Sequence, residues 1–297
     1  MKTHHPFLPV SVLLLTACAA KPPSVPAPAV PLVVTGLAQP ESAIHDPVTD
    51  VYLVSNLSGS PLEPDHDGFI SRISPDGRVL ALRFIDGARS PQGLSAPKGL
   101  ALVGRTVYVT DIDRVRSFDA DTGEPRLVVP VPGAVFLNDA APGPDGAIFV
   151  TDTGLRDLAA ADTPSEDDAL FAIRGDSVRR VASGAGLGHP NGVLWAAGKV
   201  ELVTLGSGEW LTLTAEGSIV ARTKLPGGAL DGLVRLDDGT LLASSWATSS
   251  LYRLAPDRRA TLAASGLPSP ADIGYDQKRG VLLIPEMMEN RLVIRRL

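Results

Sequence analysis

Carboxylate and amide side chains stand at matching places in several copies of one short sequence pattern. The pattern is a polar residue or pair, an apolar run, a turn rich in Pro, Gly and Asp, and a second apolar run; residues 136–152 are its clearest copy. The copies begin at Glu41, Pro97-Lys98, Asn138-Asp139, Asn191, Asp231 and Asp272. Side-chain oxygens of this kind are the ligands that Ca²⁺ prefers. If the fold gathers these residues, they can hold a hard divalent cation.

The repeated pattern also predicts the fold that would position them. Both apolar runs are typical of strands, each copy is followed by a third strand, and five copies show a fourth. Four strands in a repeat of about 40–45 residues are typical of propeller blades. We found no sustained apolar period of 3.6 residues, which argues against a helical fold. The sequence therefore predicts an all-β, six-bladed β-propeller with four antiparallel strands per blade.

The two ends of the repeat region predict how the ring closes. The sixth copy ends at Leu297 after its third strand, whereas residues 31–37 form an apolar run that belongs to no other copy. Pairing this N-terminal strand into the last blade would complete that blade and cover two exposed strand edges. The predicted propeller accordingly covers residues 31–297.

In a propeller the first strand of each blade lines the central channel, so the residues that begin the copies would meet at one mouth. Two insertions, residues 57–67 and 154–168, lie between second and third strands and should rim the same face. An alternative is that Asn191-Gly192 and Asp231-Gly232 are ordinary turns, since these residue pairs favour turns. The matched positions in several copies favour the metal site.

These residues resemble the six-bladed gluconolactonase/senescence-marker-protein (regucalcin-like) lactonases. The resemblance implies that Glu41, Asn191 and Asp231 bind one divalent cation, most simply Ca²⁺, with Zn²⁺ and Mn²⁺ as alternatives. It also implies that Asn138, in its Asn-Asp pair with Asp139, lies beside the metal and the substrate. In such a site the metal polarises a lactone carbonyl and Asp231 activates the attacking water.

Two positions depart from the family pattern. Members that act on sugar lactones tend to have Arg two residues before the blade-three Asn, where this chain has Phe136. The blade-one Glu is usually followed four residues later by Trp, and His45 stands there instead. These changes affect the substrate side rather than the metal side. They argue against a sugar lactone and predict a more apolar lactone or ester.

Other hydrolase sites are not supported. The sequence has no Gly-x-Ser-x-Gly motif for a serine nucleophile, and no two histidines have zinc-ligand spacing. Residues 65–68 (Asp-His-Asp-Gly) lack the further ligands of a calcium loop and are interpreted as the tip of an insertion. His189 is either a pocket residue or, more simply, a loop histidine. Trp246 either walls the mouth or packs in the fold.

The N-terminus predicts export. Residues 1–17 combine a basic start with a short apolar run, as a secretory signal does. Leu15-Thr16-Ala17-Cys18 resembles a bacterial lipobox, which would leave the single cysteine, Cys18, lipidated; an ordinary signal peptide is the alternative. Residues 18–30 are a Pro-rich linker. Ala19 after Cys18 resembles outer-membrane lipoproteins, so we expect an anchored protein that faces the periplasm.

Charge and site together leave two functional hypotheses. The net charge of −6, with no Lys/Arg-rich run, argues against nucleic-acid binding. The first hypothesis is a metal-dependent hydrolase of a small lactone or ester. The second is a non-catalytic, envelope-anchored propeller that keeps the metal for structure and binds a ligand or partner. The chain alone does not predict an oligomeric state.

Overall fold

The computed structural model describes Met1 and residues 30–297. The predicted signal segment 1–17, Cys18 and the linker up to residue 29 lie outside the described residues, apart from Met1 itself. Regular structure in the described part is β-strand, with four short 3₁₀ segments: Pro144–Gly146, Leu158–Ala160, Ala185–Leu187 and Met287–Glu289. No helix there is long and apolar enough to cross a membrane.

The strands, numbered along the chain, form six four-stranded antiparallel sheets in this part of the chain. The first strand, which precedes blade one, is β1 (Leu32–Thr35). Blade one is β2 (Pro40–Asp46), β3 (Val51–Asn56), β4 (Phe69–Ile73) and β5 (Val79–Asp86). Blade two is β6 (Pro97–Val103), β7 (Thr106–Asp111), β8 (Arg114–Asp119) and β9 (Pro125–Pro130). Blade three is β10 (Leu137–Pro142), β11 (Ile148–Asp152), β12 (Ala169–Arg174) and β13 (Ser177–Ser183).

The second half of the ring repeats this order. Blade four is β14 (Pro190–Ala196), β15 (Lys199–Thr204), β16 (Glu209–Leu213) and β17 (Ile219–Lys224). Blade five is β18 (Leu230–Arg235), β19 (Leu241–Ser245), β20 (Ser250–Leu254) and β21 (Ala260–Ser265). Blade six is β22 (Gly274–Asp276), β23 (Val281–Glu286), β24 (Arg291–Arg295) and β1. The predicted six-bladed propeller is confirmed.

The N-terminal strand closes the ring. β1 pairs antiparallel with β24, with Val33 opposite Val293 and Val34 opposite Leu292. Val34 is buried in the apolar layer between the last and first blades, whereas Val33 points outwards. The ring closure predicted from the sequence is confirmed.

Each apolar core layer lies between two neighbouring blades rather than within one. The layer between blades two and three, for example, joins Val115 of β8 to Leu137 of β10 and Phe171 of β12. Because every blade shares its core with both neighbours, a blade is not stable alone and the ring must form to bury its apolar surface.

We expect Val34→Asp to destabilise the protein strongly and Val33→Asp to have little effect. Val34 is 4% exposed and Val33 is 52% exposed on the same strand. Burying an unpaired carboxylate in the closure layer should lower the free energy of unfolding by at least about 3 kcal/mol. Urea unfolding of both variants measures the difference. Equal losses would show that β1 does not seal the ring.

A partly buried ion pair joins blades one and two on the side of the ring away from the predicted mouth. Arg105 donates from Nη1 and Nη2 to the two oxygens of Asp46, at 2.8 Å each. Burial raises the pKa of Asp46, but hydrogen bonds from Arg105, Thr49 and the Val48 N–H outweigh it and lower that pKa to about 2. The folded state therefore favours the ionised carboxylate.

This pair should make part of the stability depend on acid pH. Because the pKa of Asp46 is lower in the folded than in the unfolded chain, its contribution is present above pH ~4 and is lost as the pH falls towards 2. Arg105→Met should lower the free energy of unfolding by about 1 kcal/mol at pH 7, because Thr49 and Val48 still donate to Asp46, and the difference should shrink below pH ~4. Urea unfolding across pH checks this, with exposed Arg78→Met as control. A pH-independent difference would contradict it.

Candidate metal centre at the channel mouth

The inner strands of blades one to five all contain a β-bulge at their second and third residues. Two residues of the inner strand oppose one residue of its partner there: Glu41-Ser42, Lys98-Gly99, Asn138-Asp139, Asn191-Gly192 and Asp231-Gly232. A bulge redirects side chains and often lies beside a functional site. The first residue of each bulge is the polar residue found at the start of that sequence repeat. The bulge turns its side chain away from the strand pairing and towards the mouth.

The glycines in three of these bulges are explained by close packing between blades. A Cβ on Gly192 would lie 2.3 Å from the Asp231 carbonyl oxygen, and one on Gly232 would lie 2.4 Å from the Ile273 nitrogen. Both glycines lie within strands. The alternative that Asn191-Gly192 and Asp231-Gly232 are turns is therefore wrong: the next blade approaches too closely for a side chain.

Hydroxyl groups on the second strands of blades two, three and five tie the bulge to the next blade, and the sequence analysis missed them. Thr151 Oγ1 accepts from the Asp139 N–H at 3.0 Å and donates to the Asn191 carbonyl at 2.7 Å. Ser244 Oγ likewise accepts from the Gly232 N–H and donates to the Ala271 carbonyl, at 2.8 Å each. The signal was present as Ser or Thr near the end of the second strand in most copies.

Four oxygens at the mouth are buried and have no hydrogen-bond partner among the described residues. They are Glu41 Oε2, Asn138 Oδ1, Asn191 Oδ1 and Asp231 Oδ1. Their residues are only 3–6% exposed. An unsatisfied buried polar group costs about 1–3 kcal/mol, so native structures keep few of them. Four at equivalent places in one ring indicate that a ligand completes them.

The amide of Asn138 has a defined orientation. Its Nδ2 donates to Thr153 Oγ1 at 3.0 Å, and that hydroxyl donates in turn to the Pro190 carbonyl at 3.0 Å. Because the amide nitrogen is used by the fold, the oxygen is left free as an acceptor for a ligand.

The carboxylates at the mouth raise one another's pKa values. Burial raises the pKa of Glu41 well above its usual range, and the charges of Asp231 and Asp272 raise it further. Burial and the charge of Asp272 likewise raise the pKa of Asp231. Acidic groups are crowded here in a dry environment, and a bound divalent cation would relieve the repulsion between them.

The residues at the mouth fit a hard cation. Among the described residues no three histidine, cysteine or carboxylate side chains are arranged to hold a metal, so the fit depends on two amide oxygens beside two carboxylates. An all-oxygen set of this kind suits Ca²⁺ better than Zn²⁺, which prefers nitrogen and sulfur. Glu41, Asn191 and Asp231 would hold the ion, with Asn138 beside them.

Asp139 and Asp272 lie deeper in the channel than the free oxygens. Asp139 accepts from the Val193 N–H at 2.7 Å and the Ala140 N–H at 2.6 Å, and Asp272 accepts from Ser42 Oγ at 2.5 Å. Blade six differs from the others because its inner strand starts only at Gly274. The carboxylate of Asp139, predicted to be near the substrate, thus joins blade three to blade four.

A cavity of about 750 Å³ begins at Asp139 and Asp272 and extends to the face opposite the mouth. Its wall is mainly apolar, with side chains such as Leu100 and Leu233. This cavity and the free oxygens therefore lie on different sides of this acidic pair. The mouth is the candidate site, because the carboxylates that line the cavity already have hydrogen-bond donors.

Both long insertions contact residues on the face where they were predicted to form the rim. The Pro61 carbonyl of the first insertion accepts from Lys98 Nζ at 3.2 Å. In the second, the Thr163 carbonyl lies 2.7 Å from His189 Nε2, while Nδ1 lies 2.7 Å from the Thr153 carbonyl. His189 is therefore the anchor of an insertion loop. The interpretation of His45 as a change on the substrate side is wrong: it is away from the mouth, 3.1 Å from Asp50 on the opposite side of the ring.

Two further residues reach the mouth. The sequence alone assigns no role of its own to Lys98 and leaves Trp246 as either a wall of the mouth or a packing residue. The ammonium of Lys98 lies 4.3 Å from the ring centroid of Phe136, and both residues are buried. The indole Nε1 of Trp246 is buried without a partner among the described residues. Burial raises the pKa of Asp231, whereas the nearby indole N–H of Trp246 lowers it. The two groups are close, but they do not meet the geometry of a hydrogen bond. Only the fold shows that both donors face the site.

Comparisons with solved structures agree with this fold. A gluconolactonase from Xanthomonas campestris superimposes with a TM-score of 0.69 at 19% identity, covering 89% of this chain and 88% of that one. A calcium-binding protein, regucalcin, from Agrobacterium tumefaciens gives 0.61 at 16% identity, covering 88% and 90%. A streptogramin B lyase gives 0.61 at 12% identity, covering 89% and 96%.

Sequence comparison adds nothing further: no protein-family model matches the chain, and no curated protein matches it either. The lyase shows that the propeller alone does not define a reaction. The chain has the six-bladed propeller fold of solved gluconolactonases and of a regucalcin, as its resemblance to that family implied.

Proposed function

We propose that the protein is a divalent-metal-dependent hydrolase of a lactone or related ester. The observation that carries this proposal is the set of four buried, unpartnered oxygens that four different blades direct to one mouth. Such a set is costly for the fold and suits a cation with an open coordination position. The shared fold of solved gluconolactonases supports the same reaction class.

In this proposal Glu41, Asn191 and Asp231 hold the cation, which when bound polarises a carbonyl oxygen. Asp231 Oδ1 accepts the proton of an attacking water, because it is an unpartnered carboxylate oxygen at the mouth. Asn138 Oδ1 is held in place by the Asn138–Thr153 hydrogen bond and accepts from a donor on the substrate or the water. The two insertion loops limit access of bulk water to the mouth.

A non-catalytic propeller with a structural metal is the second candidate. It is favoured by the near-complete burial of the four oxygens and by the position of the 750 Å³ cavity on the opposite face. In that case the cation would stabilise the ring, and a ligand or partner would bind elsewhere.

Hydrolysis assays separate these candidates. The purified protein, freed of metal with a chelator, would be titrated with Ca²⁺, Mn²⁺ and Zn²⁺ and assayed against a panel of lactones and aryl esters. Metal-dependent turnover is the expected result. If the protein binds metal tightly but hydrolyses no member of the panel, the hydrolase proposal is wrong and the non-catalytic propeller with a structural metal is supported.

The cellular setting is part of the same proposal. Cys18 would carry a lipid after removal of residues 1–17, which would anchor the propeller to the outer membrane facing the periplasm. The linker that follows Cys18 would then hold the domain away from the bilayer.

A further inference from the structure

Lys98 is a buried cation at the mouth with no ion-pair partner among the described residues. It is 2% exposed and occupies in blade two the bulge position that holds Glu41 in blade one and Asn138 in blade three. Its Nζ donates to the carbonyls of Pro61 and Ala96, at 3.2 and 3.4 Å. An ammonium has three donors, so one N–H is left for a ligand.

The surroundings of this ammonium are dry but stabilise a positive charge. Nζ lies over the ring of Phe136, which gives a cation–π contact. Burial lowers the pKa of Lys98 to about 8, and the charge of Glu41 acts in the opposite direction, so the cation persists at neutral pH. Burying a charge without a directly bonded counter-ion is costly, and proteins rarely keep one without a functional reason.

The ring order places this cation beside the proposed metal ligands. In the order of blades around the ring, Lys98 lies between Glu41 and Asn138. A small molecule bound at the four free oxygens is therefore next to the blade that carries Lys98. The ammonium is a compact positive charge that donates hydrogen bonds, so it suits a carboxylate better than a neutral hydroxyl.

We propose that Lys98 binds an anionic group of the substrate, and that the substrate is a lactone or ester that carries a carboxylate near the reacting carbonyl. This inference rests on the proposed hydrolase function and narrows its substrate class. It replaces the apolar substrate predicted from Phe136 alone, because Phe136 is buried and the ammonium lies over its ring.

The test compares two ligands that differ only in charge. A γ-butyrolactone bearing a carboxylate and its carboxamide would be hydrolysed by the wild-type protein and by Lys98→Met. We expect the wild type to favour the carboxylate by roughly tenfold to a hundredfold in kcat/KM, mainly through KM. In Lys98→Met this ratio should fall to near one.

A second substitution separates charge from packing. Because Nζ and the Phe136 ring are in contact, Phe136→Arg in the Lys98→Met background would place a guanidinium close to the lost ammonium. The carboxylate preference should return at least in part. A folded double variant, checked by thermal melting, that shows no preference would contradict a role for the cation at this place.

A binding measurement keeps the inference separate from the proposed reaction. Cyclopentane carboxylate and its carboxamide cannot be hydrolysed as lactones, and calorimetry with Ca²⁺ present measures their affinities. A carboxylate preference that Lys98→Met removes would support the anion site even if no lactone is hydrolysed. Equal affinities in the wild type, or hydrolysis with an unchanged ratio in Lys98→Met, would overturn it.

Discussion

Asp231→Asn is expected to lower kcat/KM for a hydrolysed lactone by roughly a thousandfold or more. A positioned general base contributes about 10²–10⁴, and the same side chain is a proposed metal ligand whose charge would be lost. Asn keeps the shape of the side chain and an oxygen, so the bulge and the packing of Gly232 against blade six should persist. Steady-state assays at saturating Ca²⁺ measure the loss.

The same substitution should stabilise the metal-free protein. Asp231 is buried near Glu41 and Asp272 without a hydrogen-bond partner for its Oδ1, so its negative charge opposes folding when no cation is bound. Thermal melting in a chelator should therefore show a higher midpoint for Asp231→Asn than for the wild type. A lower midpoint, or activity within tenfold of wild type, would show that Asp231 is a structural residue and not the base.

Calcium should raise the thermal stability of the wild type substantially. A ligand that binds only the folded state stabilises it by about 4 kcal/mol at a concentration a thousand times its Kd. For a domain of this size such a gain corresponds to a rise in Tm of roughly 8 °C. Glu41→Gln removes the charge of one proposed ligand, and Asn191→Leu removes one of the four free oxygens. Each substitution should therefore abolish most of the rise in Tm.

Asp65→Asn is the matched control for the calcium experiment. Asp65 is an exposed carboxylate in the first insertion, in the segment 65–68 that has the composition of a calcium loop. The rise in Tm should be unchanged in this variant. Loss of the rise in Asp65→Asn, with retention in Glu41→Gln, would move the metal from the channel mouth to the insertion tip.

The strand pattern was predictable because it depends on local properties. Alternating burial, Pro/Gly/Asp turns and apolar second strands recur in every blade, and each is visible within a few residues. Blade six was predicted less accurately: Asp272 precedes the inner strand and is joined to Ser42 of blade one by a bridge. That contact crosses the closure of the ring, so no local pattern could indicate it.

Neighbouring residues at the mouth show where sequence reasoning ended. Asn138 and Asp139 were predicted together as substrate residues. In the structure the bulge separates them: the amide oxygen of Asn138 is free, while the carboxylate of Asp139 accepts from Val193 of the next blade. Which of two adjacent polar side chains faces a ligand depends on the backbone of the bulge and on the neighbouring blade.

By itself, the sequence determined the number of blades, the closing strand and the residues that begin the copies in blades one to five, because repeat period, hydrophobic alternation and turn chemistry act over short distances along the chain. Only the tertiary structure decided which of those residues lack partners, why Gly192 and Gly232 must be glycine, and that Lys98 rests on Phe136. Each of these facts concerns the approach of two blades. Contacts between blades join segments far apart in the chain, and their distances are set by how the whole ring packs.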